Sequence, residues 1–320
     1  MLRSFLIIGR ASQYFLILFL IGLPLQALPH SNLNITPDMP SSDVTEQDSS
    51  SSDLKGTLGG RVDGYVASSL SEWLGNAEVS VSGLLEDKPQ FGILTIRPLY
   101  ESENVRDTVF SQASVFNYDG RQTINIGMGY RRMTADEHWL FGVNAFFDHE
   151  FPYDHQRASI GVEARSSVVE LNANRYFGLS NWRNGEDDLG ERALDGYDLE
   201  AGIVIPYMPS GRFYHREFVW EGEDGVADME GNTTSLYVRG DFLIPGLSLE
   251  AGTTNFDNSR DDRDFLEVTF RYPPPQAEVR PIFVNDMFNY ESMRERRLER
   301  VRRENLIVKQ FRGRGTISFR

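Results

Sequence analysis

Between residues 77 and 272 the sequence alternates apolar and non-apolar side chains in segments of about ten residues. In QTINIGMGY, which starts at Gln122, Ile and Met fall on one face, and Thr, Asn and Gly fall on the other. A period of two sustained over such lengths predicts β-strands. We expect twelve strands, at 77–83, 90–100, 108–117, 121–133, 138–149, 155–166, 168–180, 194–207, 212–222, 233–244, 247–256 and 263–272.

The non-apolar face of these strands indicates what kind of sheet they form. It carries glycine, asparagine and charges, and we expect the following residues to face a lumen: Asn144, Glu163, Arg165, Glu170, Asn172, Asn174, Glu250, Glu267 and Arg271. The opposite face is aliphatic, with aromatic residues toward the strand ends, and we expect these at the membrane interface: Tyr130, Trp139, Phe147, Phe270 and Tyr272.

An apolar exterior with aromatic girdles around a polar interior is typical of outer-membrane barrels. Strands of soluble sandwiches are shorter, most often about 5–6 residues. The sequence therefore predicts an all-β fold, a twelve-stranded antiparallel transmembrane β-barrel spanning 77–272, with short flanking helices. A secreted soluble β-protein is the alternative.

The regions before the barrel have a different composition. Residues 1–27 place Arg3 and Arg10 before an apolar run that ends in a small residue at Ala27, which predicts a cleaved signal peptide. A permanent transmembrane anchor is the alternative, although the run is short for a span. Residues 28–56 are rich in Ser and Asp and predict a disordered periplasmic linker. Residues 57–76 predict a short periplasmic helix.

After the barrel, residues 273–305 begin with three prolines and continue into a segment with acidic residues early and arginines late. That polarity is favourable to a helix dipole, so we expect a turn followed by a helix. Expected loops after even-numbered strands are short, and those after strands seven, nine and eleven are long and acidic. Because outer-membrane barrels have short periplasmic turns, the acidic loops are expected outside.

Composition excludes several functions. The net charge of −15 argues against a nucleic-acid partner, which requires basic contacts to phosphate. Because the chain has no cysteine, disulfides, thiolate nucleophiles and Cys-ligated zinc are excluded.

The stretch HEFPYDH concentrates titratable residues in one place, at His149, Glu150, Asp154 and His155. Its histidines stand six apart with a proline between them, so they cannot share a helical face as in HExxH. No serine lies on a nucleophile elbow. We therefore predict no catalytic residues, no cofactor and no metal site, and expect these four residues in water at an outer hairpin.

GVNAFFDHEFPYDHQRASIGVEAR, followed by NRYFGLSNWRNG and ERALDGYDLEAGIVIPYMP, resembles the β-domain of the intimin/invasin family, the inverse autotransporters. The resemblance extends from about Ala67 to Phe311. It implies a twelve-stranded barrel in the outer membrane of a Gram-negative bacterium. It also implies a linker that returns through the lumen after the last strand and carries an adhesive passenger outward.

In this chain the resemblance places the linker at 306–320, preceded by Asn305, and implies a lumen position for Asn305, Leu306, Ile307 and Val308. Arg303 and Glu304 stand where the family pattern leads us to expect asparagines. Fifteen residues extend over at most about 50 Å, and a bilayer with its headgroups is about 40–45 Å thick. We therefore expect the linker to cross the pore without a passenger domain in this chain.

These expectations leave two membrane functions open. One is a translocator or anchor of the intimin/invasin type, without a passenger and with its lumen plugged by its own linker. The other is a small outer-membrane pore or porin-like channel. Expected partners are the lipid bilayer, the outer-membrane assembly machinery and periplasmic chaperones during biogenesis, and host or cell surfaces touched by the acidic loops.

Overall fold

The computed structural model of the chain describes residues 76–83, 88–186, 189–257, 261–274, 282–312 and 317–318. The predicted signal peptide, the predicted linker and all but the last residue of the predicted helix at 57–76 lie outside these ranges. Within the described ranges, no helix combines the length and apolar character needed to cross a membrane.

Sixteen strands are present in the described residues, twelve in a closed barrel and four in a separate small sheet. In chain order they are β1 (Asn76–Ser82), β2 (Gln90–Glu101), β3 (Asp107–Tyr118), β4 (Arg121–Met133), β5 (Trp139–Phe151), β6 (His155–Ser166), β7 (Val169–Gly178), β8 (Arg183–Asn184), β9 (Gly190–Ala193), β10 (Gly196–Ile205), β11 (Met208–Trp220), β12 (Met229–Arg239), β13 (Leu247–Phe256), β14 (Arg263–Tyr272), β15 (Lys309–Arg312) and β16 (Ile317–Ser318).

The barrel consists of β1–β7 and β10–β14, and each strand pairs antiparallel with its neighbour. It closes through β1, in which Val79 is paired with Ile93 of β2 and with Phe270 of β14. Closure leaves no unpaired edge, which a strand-built structure needs inside a bilayer. The predicted twelve-stranded barrel is confirmed, and the largest boundary error is at β12, predicted at 233–244.

The barrel is polar inside and apolar outside. Along β5, Asn144 and Asp148 are buried in the interior, whereas Phe141 and Val143 are 51% and 53% exposed on the outer face. Side chains alternate across a strand, so a single sequence pattern supplies both surfaces. An exposed apolar outer wall of this extent fits a hydrocarbon environment.

Glycines on the inner face of β4 make room for aromatic rings. A Cβ atom at Gly127 would lie 2.3 Å from the ring of Phe146, and one at Gly129 would lie 2.4 Å from the ring of Phe110. The rings therefore lie across the neighbouring strand, and only glycine permits this approach. Phe110 and Phe146 thereby form an apolar part of the inner wall.

The two ends of the barrel differ. The short-turn end carries the connections at 102–106, 134–138, 167–168, 206–207 and 240–246. The long-loop end carries those at 83–89, 119–120, 152–154, 179–195, 221–228 and 257–262. The longest of them, 179–195, contains β8 and β9, and the small sheet has the order β16-β15-β9-β8. Residues near the C-terminus therefore pair with a loop of the long-loop end.

Candidate functional site

Residues 284–293 bind the turns of the short-turn end. The Val284 amide donates to the Tyr207 carbonyl at 2.9 Å, and the Tyr207 amide donates to the Met287 carbonyl at 3.1 Å. The Met293 amide then donates to the carbonyl of Glu137 at 2.8 Å. These contacts bring the chain to the short-turn mouth of the barrel.

Residues 293–312, the crossing segment, run along the inner wall to the other end. Met293 packs against Leu140, which lies at the short-turn end of β5. Val308 belongs to a buried cluster with Trp220, the last residue of β11 at the long-loop end. The segment therefore traverses the barrel from one mouth to the other.

Seven cations of the crossing segment pair with carboxylates of the barrel. The pairs are Arg294 with Glu137, Arg296 with Glu170, Arg297 with Glu101 (2.6 Å), Arg300 with Glu267 (3.0 Å), Arg302 with Glu200 (2.6 Å) and Glu250 (2.9 Å), Arg303 with Asp148 (2.6 Å), and Lys309 with Glu150 (2.5 Å). The carboxylates come from opposite sides of the barrel, so the segment is held from several directions.

Arginines of the wall bind the backbone of the same segment. Arg131 donates to the Arg297 and Glu299 carbonyls (both 2.7 Å), Arg165 to the Arg300 carbonyl (3.1 Å), and Arg157 to the Glu304 (2.7 Å) and Leu306 (2.8 Å) carbonyls. Charged donors make stronger hydrogen bonds than neutral ones. The wall thus recognises both the side chains and the extended backbone of the segment.

The most enclosed pairing joins Arg303 to Asp148. Both side chains are fully buried, and Asp148 also accepts from Arg157 at 2.9 Å. The Arg303 guanidinium lies 4.3 Å from the centre of the Phe146 ring. A bidentate carboxylate contact and a ring below it fix this guanidinium in position.

The predicted helix within 273–305 is wrong for the described residues. They contain one 3₁₀ turn, Met293–Arg296, and no α-helix. A helix would use its carbonyls internally, whereas here Arg131, Arg157 and Arg165 take several of them. An extended backbone also lets successive arginines reach different walls. Contacts with barrel residues that are distant in sequence therefore outweigh the helical preference of the segment itself.

The prediction that Glu150 and His155 lie in water is also wrong. They are 1% and 0% exposed, and they are opposite each other in the register of β5 and β6. Both continue the inward-facing alternation, Glu150 after Asp148 on β5 and His155 at the start of β6. His149 and Asp154, from the same stretch, keep side chains that are 23% and 56% exposed and lie 3.2 Å apart.

Glu150 and His155 meet Glu191 of β9, and ligand atoms of the three lie within 4.8 Å of one another. Arg121 donates to Glu150 at 3.1 Å and to Glu191 at 2.7 Å, while Lys309 Nζ lies 2.5 Å from both Glu150 oxygens. The oxygens that a divalent metal would need are engaged by cations of the chain.

Glu191 is held ionised by the same neighbours. Burial alone would raise the pKa of the Glu191 carboxyl, but hydrogen bonds from His155 and Arg121, together with the charge of Arg121, hold it well below its usual range. Two carboxylates, Glu150 and Glu191, therefore face two cations, Arg121 and Lys309. Without Lys309, Arg121 and the His155 ring would be left to face both carboxylates.

The residues predicted to face the lumen lie as follows. Buried in the interior are Asn144, Glu163, Arg165, Glu170, Asn172, Asn174 and Glu250. Glu267 and Arg271 are half-buried and line cavities beside the crossing segment. Ile307 and Val308 are buried and Asn305 and Leu306 half-buried along the segment. Tyr130, Phe147, Phe270 and Tyr272 are 38–51% exposed on the outer face, and Trp139 is half-buried.

Several partners of the crossing segment are not among the residues predicted to face the lumen. Asp148, Arg131, Arg157 and Glu200 are not among the predicted lumen residues, although each occupies an inward position of its strand. The alternation is a sufficient signal for these four. Lys309 follows an apolar run, and no local pattern indicates that it enters a carboxylate cluster.

The crossing segment leaves part of the lumen open. A cavity of about 270 Å³ lies beside it and is lined by residues that include Thr233, Ser235, Glu250 and Glu267. These residues belong to β12, β13 and β14. The cavity also reaches Tyr118 of β3 and Glu200 of β10, so open space borders the segment on more than one side of the barrel.

The family model described as "Inverse autotransporter, beta-domain" matches residues 27–305. The chain is 28% identical over 261 residues to the inverse autotransporter adhesin YeeJ of Escherichia coli (strain K12), covering 76% of this chain and 11% of YeeJ. It is 34% identical over 166 residues to invasin of Yersinia enterocolitica, covering 48% of this chain and 19% of invasin. The chain thus spans a small part of these two relatives.

A solved structure shares the fold. A membrane protein from a study of in-meso crystallisation aligns with a TM-score of 0.63 and 21% identity, over 74% of this chain and 99% of that one.

Proposed function

The chain belongs to the inverse autotransporter β-domain family and is a bacterial outer-membrane β-barrel, and from that premise we propose that it is a translocator and membrane anchor whose lumen is closed by its own crossing segment. The observation that carries the proposal is the two-way recognition of that segment. Its cations pair with wall carboxylates, and wall arginines bind its carbonyls. A chain passing at random through a water-filled pore would not need matched partners along its length.

The polarity of the barrel supports an outward path. Outer-membrane barrels have short periplasmic turns and longer outer loops, so the short-turn end is assigned to the periplasm. The crossing segment then enters from the periplasm and reaches the cell surface near Lys309. Any sequence following Arg312 would be displayed outside.

The proposed role involves no chemistry. The barrel holds the crossing segment in place and presents any sequence C-terminal to it, and its outer wall contacts lipid. The acidic loops of the long-loop end are proposed to touch host or other cell surfaces, in line with relatives named adhesin and invasin. Insertion by the outer-membrane assembly machinery, with periplasmic chaperones holding the unfolded chain, belongs to the same proposal.

One observation favours a second function, a small pore. The cavity of about 270 Å³ beside the crossing segment is lined by hydroxyl and charged groups. If it were continuous with water at both mouths under membrane voltage, ions could pass alongside the segment.

Single-channel conductance separates the two functions. Purified full-length protein is compared with a variant that ends at Glu291 and so lacks the crossing segment, and both are first checked for heat-modifiable migration. The closed translocator predicts little conductance in the full chain and a clear gain in the truncated one. A full chain that conducts as freely as the truncated chain would favour the pore.

A further inference from the structure

At the long-loop end the crossing segment is held by its backbone as well as by its side chains. β15 pairs antiparallel with β9, with Lys309 opposite Ala193 and Arg312 opposite Gly190. The Leu194 amide donates to the Val308 carbonyl at 3.0 Å, just before this pairing begins. An edge strand that adds an extended segment in this way provides affinity through main-chain hydrogen bonds.

A second loop holds the other side of the same segment. The side-chain amide of Gln310 accepts from the Glu223 amide at 2.8 Å and donates to the Glu223 carbonyl at 3.0 Å. The Arg312 guanidinium lies 5.0 Å from the centre of the Trp182 ring. The loop at 179–195, through β9 and Trp182, and the loop at 221–228, through Glu223, therefore contact all four residues of β15 between them.

Lys309 distinguishes the observed register of β15 on β9 from the alternatives. Its Nζ bonds both oxygens of Glu150 in a fully buried cluster that also contains Arg121 and Glu191. Without Lys309, Arg121 would have to neutralise both Glu150 and Glu191, and burying a carboxylate with too little cationic charge beside it is strongly unfavourable. A slip of one residue would present Val308 or Gln310 to Glu150, and a slip of two would present Ile307 or Phe311.

We propose that β9, the loop at 221–228 and the Glu150 carboxylate form a strand-docking site that recognises Lys309 and fixes the register at which the crossing segment comes to rest. Backbone pairing supplies the affinity of this site, and it tolerates many sequences. The buried carboxylate supplies selectivity for a lysine at the first position. This inference rests on the proposed function, because it assumes that the segment moves outward before it stops.

Disulfide trapping tests the register, because the chain contains no cysteine of its own. A Cβ atom built at Gly190 lies 3.0 Å from the Arg312 Cβ. A disulfide needs about 3.5–4.5 Å between these atoms, so the two strands need to separate only slightly for the bond to form. Gly190→Cys with Arg312→Cys reports the proposed register. Gly190→Cys with Gln310→Cys reports a register two residues away. Heat-modifiable migration shows that each variant has folded.

In the otherwise unchanged chain, mild oxidation should cross-link most of the 190–312 pair and at least tenfold less of the 190–310 pair. Adding Lys309→Met should lower the first yield severalfold and raise the second, while Lys309→Arg should retain the original preference. Equal yields for the two pairs in the unchanged chain would overturn the proposal. So would a preference that Lys309→Met leaves intact.

The outcome is separable from that of the conductance experiment. A conducting full-length chain with a strong 190–312 cross-link would mean that the strand docks but does not close the lumen. A closed chain with no preference between the two pairs would mean that the lumen is closed without a register-selecting site.

Discussion

The guanidinium of Arg303 meets the carboxylate of Asp148 through two hydrogen bonds, of 2.8 Å from Nη1 and 2.6 Å from Nη2. The two residues are 155 positions apart, one in the crossing segment and the other on β5. Neither side chain is exposed to solvent. Water therefore does not compete for these hydrogen bonds, and the contact holds the segment firmly against the barrel wall.

Replacing Asp148 with Asn should loosen the segment and destabilise the protein. The substitution leaves Arg303 and Arg157 buried without their shared anion, and breaking one side of a buried pair costs about 3–5 kcal/mol. The midpoint of the heat-induced shift in gel migration measures the loss. Lys88→Ala is the control, because the Lys88 pair with Asp119 is exposed and such pairs contribute about 0–1 kcal/mol. Equal midpoints for the two variants would contradict the conclusion that the buried pair of Asp148 and Arg303 stabilises the protein.

Arg302→Gln should increase the time that the channel spends open. Glu200 and Glu250, 2.6 and 2.9 Å from Arg302, would then face each other across the lumen without their shared cation. Adding Glu200→Gln and Glu250→Gln should recover part of the closed state, because residues in one ion-pair network are not additive. Single-channel recordings of the single and triple variants provide the measurement. A triple variant that is more open than Arg302→Gln would argue against charge pairing as the cause.

A charge placed on the outer wall should disrupt insertion. Val143 is 53% exposed in the middle of β5, and arginine on the lipid face near the bilayer midplane costs about 2–4 kcal/mol. Val143→Arg should therefore shift urea-induced unfolding in lipid vesicles to lower urea. Gln122→Arg, at the exposed long-loop end of β4, is the matched control and should shift it little. Identical curves would indicate that this wall does not face lipid.

The contact between Glu137 and Arg294 at the short-turn mouth should be stable to mild acid and lost at lower pH. Hydrogen bonds from Arg294 and Ser292 hold the pKa of the Glu137 carboxyl below its ordinary value of 4.5. A lowered pKa means that the stabilisation is present above pH 4.5 and is lost as pH falls through the lowered value. A spin label at Glu295→Cys should keep its mobility from pH 7 to pH 5 and become more mobile below pH 4. In a Glu137→Gln background the label should be mobile throughout, and an unchanged pH response there would assign the effect to another group.

The alternation from Ala77 to Tyr272 was enough to predict the barrel and its strand count, and the same alternation marks which positions of each strand face inward. Each strand carries its own period, so this information is local. Glycines such as Gly127 fit the same pattern. A small residue on the inner face of one strand lies under an aromatic ring from the neighbouring strand.

The crossing segment could not be predicted in this way. Its arginines follow an acidic start and satisfy the rules for a helix, but most of their wall partners lie more than 100 positions away, as with Arg302 and Glu200. Glu150 and His155 were misplaced for a related reason. The inward alternation extends into the hairpin, and it is Lys309 and Glu191, both distant in sequence, that make a buried position tolerable.

The most direct test of the account is the sidedness of the crossing segment in intact cells. Single cysteines replace Glu295 at the short-turn mouth and Arg312 at the long-loop end, both of which are exposed. A maleimide that cannot cross membranes should label Arg312→Cys in intact cells. It should label Glu295→Cys only after the outer membrane is permeabilised. Labelling of both positions from the same side would show that residues 293–312 do not cross the barrel.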